Sequence, residues 1–388
     1  MFKIRIAALL LFAALGSAAR ADLSALIAVE PTNKKDGLLL SRQGLEAGLG
    51  KALGTRVTVT ITEDLAEAMR ASRGGSYDIF IAPAQVAASA LLRGYELVGS
   101  TDTPEQYLLV GRPALASADA VKGRKLYLPQ QDSIYTYMAR GMLNASGLSF
   151  KDLGLVRHER YPQAGLTALY LGVSDATVVR ASDWNDFAKQ YGNAAKVLAM
   201  STPVPGGFSV VMRKDLPAET RNKVSSWFAS SATAVGLKPL TERPALTEYQ
   251  KVAELGLFTP THLPGAKVVT AREVQQLIAK GAVVVDTRTE REYRAKHIPG
   301  AVFAPYVEKS LKDVAFDAGQ DDFSGLAKLD KNKPTVFACN GAECWKSYKA
   351  SRVALQQGFK EVYWFRGGLP EWEAAGLEVE KAVVVAQE

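Results

Sequence analysis

Cysteine and histidine are scarce in this chain: its 388 residues hold two cysteines and three histidines. Three scattered histidines and one cysteine pair do not make the ligand set of a metal centre, so no metal is expected. Long hydrophobic runs are also lacking. The run Ile6 to Leu15 is shorter than the roughly 20 residues needed to cross a bilayer. It lies between the basic start Lys3, Arg5 and the small-x-small triplet Ala19-Arg20-Ala21. That pattern reads as a secretory signal (residues 1–21) cut after Ala21, and the mature chain is expected in a bacterial periplasm. No cysteine follows the cut, which argues against a lipid anchor there. Dense Lys/Arg tracts are missing too, so nucleic acid is not an expected partner. The formal charge of +7 falls to +4 once Lys3, Arg5 and Arg20 leave with the signal. This mild basic excess suits small anions.

What remains is long enough for two or three domain-sized units, and its pattern is α/β. Leu26 to Val29 reads as a strand, Gln43 to Leu53 as a helix and Val57 to Ile61 as a strand. Thr62 is the expected cap of the next helix, which carries Leu65, Ala68 and Met69. Strands are expected at Tyr77 to Ala82, at Tyr107 to Val110 and, opening a second unit, within Lys122 to Pro129. A helix starts near Ser133. Phe208 to Arg213 reads as a strand, and Pro217 to Ala229 as a helix burying Val224, Trp227 and Phe228. Pro239, Pro244, Pro260 and Pro264 surround one short helix, Glu248 to Leu255, as in a closing element followed by a linker.

The ordered phrases Ile27 to Thr32, Tyr77 to Pro83, Val121 to Leu126, Asp132-Ser133, Gly172 to Ala176 and Val210 to Pro217 carry a resemblance. Together they resemble the periplasmic solute-binding proteins that take phosphonate, phosphite and related small oxyanions. The resemblance implies a two-lobed (type 2) binding domain over residues 22–263, with lobe 1 at about 22–110 and 206–263 and lobe 2 at about 111–205. It also implies a small oxyanion in the cleft, with ligand-facing candidates Glu30, Pro31, Thr32, Ala82 to Gln85 (Pro83 and Gln85 among them), Asp132, Ser133, Tyr135, Thr136, Asp175 and Arg180. Helix-start hydroxyls and N–H groups suit an oxyanion. Ser133 and Thr136 serve equally as plain helix caps, and Asp132 is a further cap candidate that would repel an anion.

Both cysteines fall in Cys339-Asn340-Gly341-Ala342-Glu343-Cys344-Trp345-Lys346-Ser347. The apolar run Thr335 to Ala338 before it reads as a buried strand, and the pattern after it as a helix. A thiol between a strand end and a helix N-terminus has a lowered pKa, and its loop N–H groups suit a bound anion. A bridge between two cysteines so close in sequence closes little chain, which points to chemistry rather than stapling. Upstream, Thr270-Ala271-Arg272-Glu273 is a capping box, with Val274, Leu277 and Ile278 on the inner face of its helix. Ala282 to Val285 is expected to be a central strand covered on both sides.

Asp286-x-Arg288, His297-Ile298-Pro299-Gly300-Ala301, the Cys339 strand and Gly367-Gly368-x3-Trp372-x3-Gly376 follow in one order. This set resembles a single-domain rhodanese and places such a domain at 264–388, with a central parallel sheet of five strands flanked by helices. The resemblance implies sulfurtransferase activity. Cys339 takes sulfane sulfur from a small donor such as thiosulfate, carries it as a persulfide without another cofactor, and passes it to a thiol or cyanide. It further implies that the N–H groups of Asn340 to Trp345 cradle the outer sulfur, that Lys346 holds leaving sulfite, and that Asp286 and Arg288 orient the loop. Gly367 and Gly368 allow close backbone approach, and His297 is structural. No arginine lies between Cys339 and Ser347, eight positions on, where active rhodanese loops often carry one.

Cys344 is either a resolving thiol or a packed apolar residue. Three readings stand: a sulfurtransferase fused to a small-anion binding domain, a non-catalytic sensor with a redox-responsive Cys339–Cys344 pair, and a thiol–disulfide oxidoreductase. A periplasmic redox or transport partner fits each of them.

Overall fold

The computed structural model describes residues 22–31 and 41–381, so the signal segment and Thr32 lie outside the described residues. Three five-stranded sheets organise the chain. The first joins Val57–Thr62, Leu23–Ala28, Ile79–Ala82, Val204–Arg213 and Tyr95–Glu105, in that spatial order. Its first three strands are parallel, and Val204–Arg213 runs antiparallel to both of its neighbours. Ile79–Ala82 is buried throughout, as its unbroken apolar run requires when helices cover both faces.

The second sheet has the order Leu155–His158, Lys125–Leu128, Ala176–Arg180, Tyr107–Gly111, Lys196–Met200. Tyr107–Gly111 pairs with Ala176–Arg180 and with Lys196–Met200, so it belongs to lobe 2. The lobe crossing therefore falls near Gln106 rather than after Val110. The long strand Tyr95–Glu105, which no sequence pattern marks, brings the chain to this crossing. Its second half reads Ser-Thr-Asp-Thr-Pro-Glu, too polar to show a strand period by itself.

Helix starts follow local chemistry. Asp64, not Thr62, caps Leu65–Gly74, because its carboxylate accepts from Glu67 N. Thr62 sits two residues too early and its hydroxyl binds the Glu67 side chain instead. Ser133 caps Ile134–Ala145 by accepting from Tyr135 N.

The third sheet runs Lys267–Val268, Val362–Phe365, Thr335–Ala338, Val283–Asp286, Val302–Phe303, and every pairing is parallel. The centre is held by Thr335–Ala338, the strand that leads to Cys339. Val283–Asp286 is an interior strand, as expected, paired with Thr335–Ala338 on one side and with the two-residue edge strand Val302–Phe303 on the other. The Thr270/Glu273 capping box is formed, and Thr289/Glu292 makes a second one. Val274 is fully buried; Leu277 and Ile278 are half-buried against the same core.

This third unit is bonded to both lobes. Arg93 Nη2, from lobe 1, donates to Glu343 Oε2 at 2.8 Å. Arg291 reaches the Tyr77 hydroxyl and stacks over its ring. From lobe 2, Asp132 pairs with Lys312, and the Gln131 side chain accepts from Lys312 N at 2.9 Å. The linker closes the seam: Thr259 N donates to Ala342 O at 2.8 Å, Trp345 Nε1 donates to Leu257 O at 2.9 Å, and Arg366 donates to Thr259 and Pro260 carbonyls.

Two outcomes are expected. Arg93→Met strands Glu343, whose side chain is only 6% exposed, without its cation. Urea denaturation should show a loss of roughly 2–5 kcal/mol, much of it regained in the double variant with Glu343→Gln. His158 in lobe 2 has its pKa held below the ordinary 6.5 by burial, opposed by its contact with Pro129 O. The native ring binds fewer protons than the unfolded one, so its stabilising contribution is complete above pH 6.5. That contribution is lost as pH falls through the native pKa. His158→Gln should flatten the stability-against-pH curve on the acid side of 6.5 in thermal melts.

Candidate functional site

Cys339 follows directly on Ala338, at the carboxyl end of the central strand of the third sheet, and Cys344 is the N-cap residue of the helix Trp345–Gln356. The two are joined as a disulfide, with Cα atoms 6.2 Å apart. They are 2% and 3% exposed, so the site is closed to solvent in this state. Gly368 explains how the loop is held. A Cβ there would stand 2.1 Å from Cys339 O and 2.7 Å from Gly341 N, and its φ of +58° lies in the left-handed region. Only glycine lets these two backbones meet. Leu369 N then donates to Cys339 O at 2.9 Å.

Asp286 and Arg288 form a buried ion pair in which the guanidinium also donates to Asn340 Oδ1 at 3.4 Å and to Lys296 O at 2.6 Å. Asn340 in turn donates to Glu292 Oε1 at 2.6 Å. The loop residue after the cysteine is thus gripped from two sides. His297 stacks on Tyr293 and contacts its carbonyl at 2.8 Å, away from the cysteines. Ser347 accepts from Trp364 Nε1 at 3.1 Å.

Two expectations for this loop are corrected. Lys346 does not face the cysteines as a free cation: its Nζ donates to Tyr306 O at 2.7 Å and lies over the Tyr306 ring. Burial pulls its pKa down, and Arg70 adds to that. Not every loop N–H is available as a cradle, since Cys344 N donates to Gly341 O at 2.9 Å.

The second candidate site lies between the lobes. A cavity of about 240 Å³ is lined by Glu30, Pro31, Pro83, Tyr135 and Arg180 of the expected set. Asp102, Glu105, Tyr107, Gln163 and Asp183 line it as well, though the sequence carried no motif for them. The helix N-terminus expected to hold an oxyanion is filled by the chain's own carboxylate. Glu30 accepts from Ser133 Oγ at 2.8 Å, Ile134 N at 2.8 Å and Gln85 Nε2 at 3.0 Å. Burial raises the Glu30 pKa, and these same donors oppose the rise. Arg180 faces Glu105 at 3.4 Å and stacks with Tyr135.

Three other expected residues point elsewhere. Thr136 Oγ1 is spent on Gln130 O, and Asp175, just before the strand Ala176–Arg180, binds Lys125 N and Arg112. Asp132 turns into the interdomain seam toward Lys312. Gln85 is 1% exposed and reaches the cleft only through Glu30. No group of metal-ligating side chains occurs among the described residues.

Comparison with known proteins agrees with this architecture. Residues 270–375 match the rhodanese-like domain family. Residues 27–254 match the family described as "ABC transporter, phosphonate, periplasmic substrate-binding protein". The thiosulfate sulfurtransferase GlpE of Pseudomonas savastanoi pv. phaseolicola is 31% identical over 108 residues, 28% of this chain and 88% of that protein. The HTH-type transcriptional regulator Rv0324 of Mycobacterium tuberculosis is 31% identical over 122 residues, 31% of this chain. This chain spans about half the length of that regulator, 48%. Among solved structures, PhnD1 from Prochlorococcus marinus in complex with methylphosphonate aligns at 14% identity and TM-score 0.47, over 61% of this chain and 97% of its own. The chain therefore belongs to the phosphonate-type periplasmic substrate-binding proteins of ABC transporters and carries a rhodanese-like domain at its C-terminal end.

Proposed function

We propose that this protein is an exported sulfurtransferase of the rhodanese type, carrying sulfane sulfur as a persulfide on Cys339 beside a domain that binds a small ligand. The observation that carries the reading is the position of Cys339. It ends the central strand of a rhodanese-like sheet, with its loop locked by Gly368 and by the Asp286–Arg288–Asn340 chain. The binding domain belongs to a periplasmic family, and no helix among the described residues is long and apolar enough to cross a membrane.

The reaction begins by opening the Cys339–Cys344 bond. A dithiol reductant supplies two electrons and two protons and leaves as its own disulfide. The Cys339 thiolate then attacks the sulfane sulfur of a donor such as thiosulfate. A new S–S bond forms, the donor's S–S bond breaks, and sulfite departs with the bonding pair. An acceptor thiolate or cyanide next attacks the outer sulfur and returns the Cys339 thiolate. Asp286 and Arg288 act by orienting the loop.

The disulfide supports a second reading, in which the pair is a redox switch and the domain does not transfer sulfur. Intact mass of the reduced protein after thiosulfate treatment separates the two. Transfer requires a gain of one sulfur in wild type and in Cys344→Ser, but not in Cys339→Ser. The absence of any gain, with the untreated protein two hydrogens short and restored by reductant, would leave the switch in its place.

A further inference from the structure

The Cys339 loop has no arginine of its own, but the solute-binding domain brings several to it. Arg70, Arg73 and Gly74 are spaced i, i+3 and i+4, so they share one face of the helix Leu65–Gly74. That face abuts the loop. A Cβ on Gly74 would lie 3.2 Å from Glu292 Oε1 and 3.6 Å from Asn340 Nδ2, the residue after Cys339. Arg70 acts electrostatically on Lys346, and Arg73 acts on Arg93, which holds Glu343 of the same loop.

Neither guanidinium on this face is paired with a carboxylate. Arg73 is 5% exposed, and neither its Nε nor that of Arg70 has a hydrogen-bond partner. Among the described residues no ion pair reaches either guanidinium. The nearby carboxylates have other partners: Glu343 pairs with Arg93, Asp286 with Arg288 and Glu308 with Lys349, while Glu292 keeps its charge and is held by the neutral donors of Thr289 and Asn340. Buried guanidinium groups without a counter-charge are costly and scarce, because desolvation is not repaid. Arg73, buried beside a thiol loop with the half-buried Arg70 on the same helix face, describes half of an anion site.

We propose that Arg70 and Arg73 of the solute-binding domain complete the Cys339 site as an interdomain anion site for a small sulfur oxyanion, thiosulfate entering or sulfite leaving. The identity of the anion rests on the sulfurtransferase reading; the site itself rests on the uncompensated cations. Two guanidinium groups match the two negative charges and several acceptor oxygens of such an anion. The binding domain is then a structural part of the transfer site, and an isolated rhodanese domain lacks its donor-binding half.

The test uses the full chain carrying Cys339→Ser, which can neither form the disulfide nor take up sulfur. Isothermal titration with sodium thiosulfate, at ionic strength held constant with chloride, should give saturable binding. Arg73→Gln added to this background should weaken it at least tenfold, Arg70→Gln should weaken it in the same direction, and Arg73→Lys should keep most of it. In thermal melts without thiosulfate, Arg73→Gln should raise the midpoint, because a buried unpaired charge is removed. The rise that thiosulfate gives the parent should disappear. Unchanged binding in Arg73→Gln overturns the proposal, and so does the absence of saturable binding in the parent. Loss of binding in Arg180→Gln but not Arg73→Gln also overturns it, since the anion would then sit between the lobes. The two readings fail separately. Thiosulfate binding that depends on Arg73, without sulfur gain in the wild type, refutes transfer alone. Sulfur gain with a thiosulfate dependence untouched by Arg73→Gln refutes the interdomain site alone.

Discussion

The ion pair between Arg93 and Glu343 ties the two halves of this molecule together at their most sensitive point. Glu343 sits in the loop between the two cysteines, and Arg93 follows a helix of lobe 1. Burial works against the charge on Arg93, Glu343 sustains it, and the neighbouring Arg73 opposes it. A pair removed from water in this way tolerates little displacement, because separating it exposes neither partner to solvent. The hydrogen bonds from Thr259 to Ala342 and from Trp345 to Leu257 hold the same loop from the linker side. The cysteine loop is therefore part of an interdomain seam, and its 2% exposed Cys339 reflects that packing.

The seam also links the loop to the cleft. Lys312 of the rhodanese-like domain pairs with Asp132, and the next residue, Ser133, donates to Glu30 in the cavity between the lobes. Two adjacent residues thus face two different sites. Glu30 takes the position at the helix start where an anionic ligand would otherwise gain the N–H and hydroxyl donors. A cleft whose anion position is filled by a carboxylate, with Asp102, Glu105 and Asp183 around it, has a different charge from one built for a free oxyanion. The net basic charge read from composition says nothing about this, because it does not place the cations; Arg180 is in the cleft lining beside these carboxylates.

Much of the site and fold was legible because the signals were local. Thr270 and Glu273 are close enough to cap one helix turn, so four residues suffice to read that start. Val336 to Ala338 is wholly apolar, and the small, polar loop after it marks a strand end. Gly367-Gly368 could be read as a close backbone approach, and Gly368 does meet Cys339 O. The central place of the Cys339 strand was not legible. Ala282 to Val285 is an equally apolar run, and only pairing in space ranks the two. Tyr95–Glu105 escaped for a related reason: its outer half is polar where it crosses between lobes, and the ladder with Val204–Arg213 supplies what periodicity does not.

The sequence by itself determined the chemistry present: a thiol at a strand end, a second thiol five residues on, and the order of motifs that assigns both domains. Those properties depend on residues near one another in the chain. The tertiary structure decided which charges meet. It turned Lys346 onto Tyr306, sent Asp132 to Lys312, set Glu30 on the start of a lobe 2 helix, and laid Arg70 and Arg73 against a loop more than 260 residues away. Electrostatic partners are chosen by distance and burial in space, and no spacing along the chain encodes them.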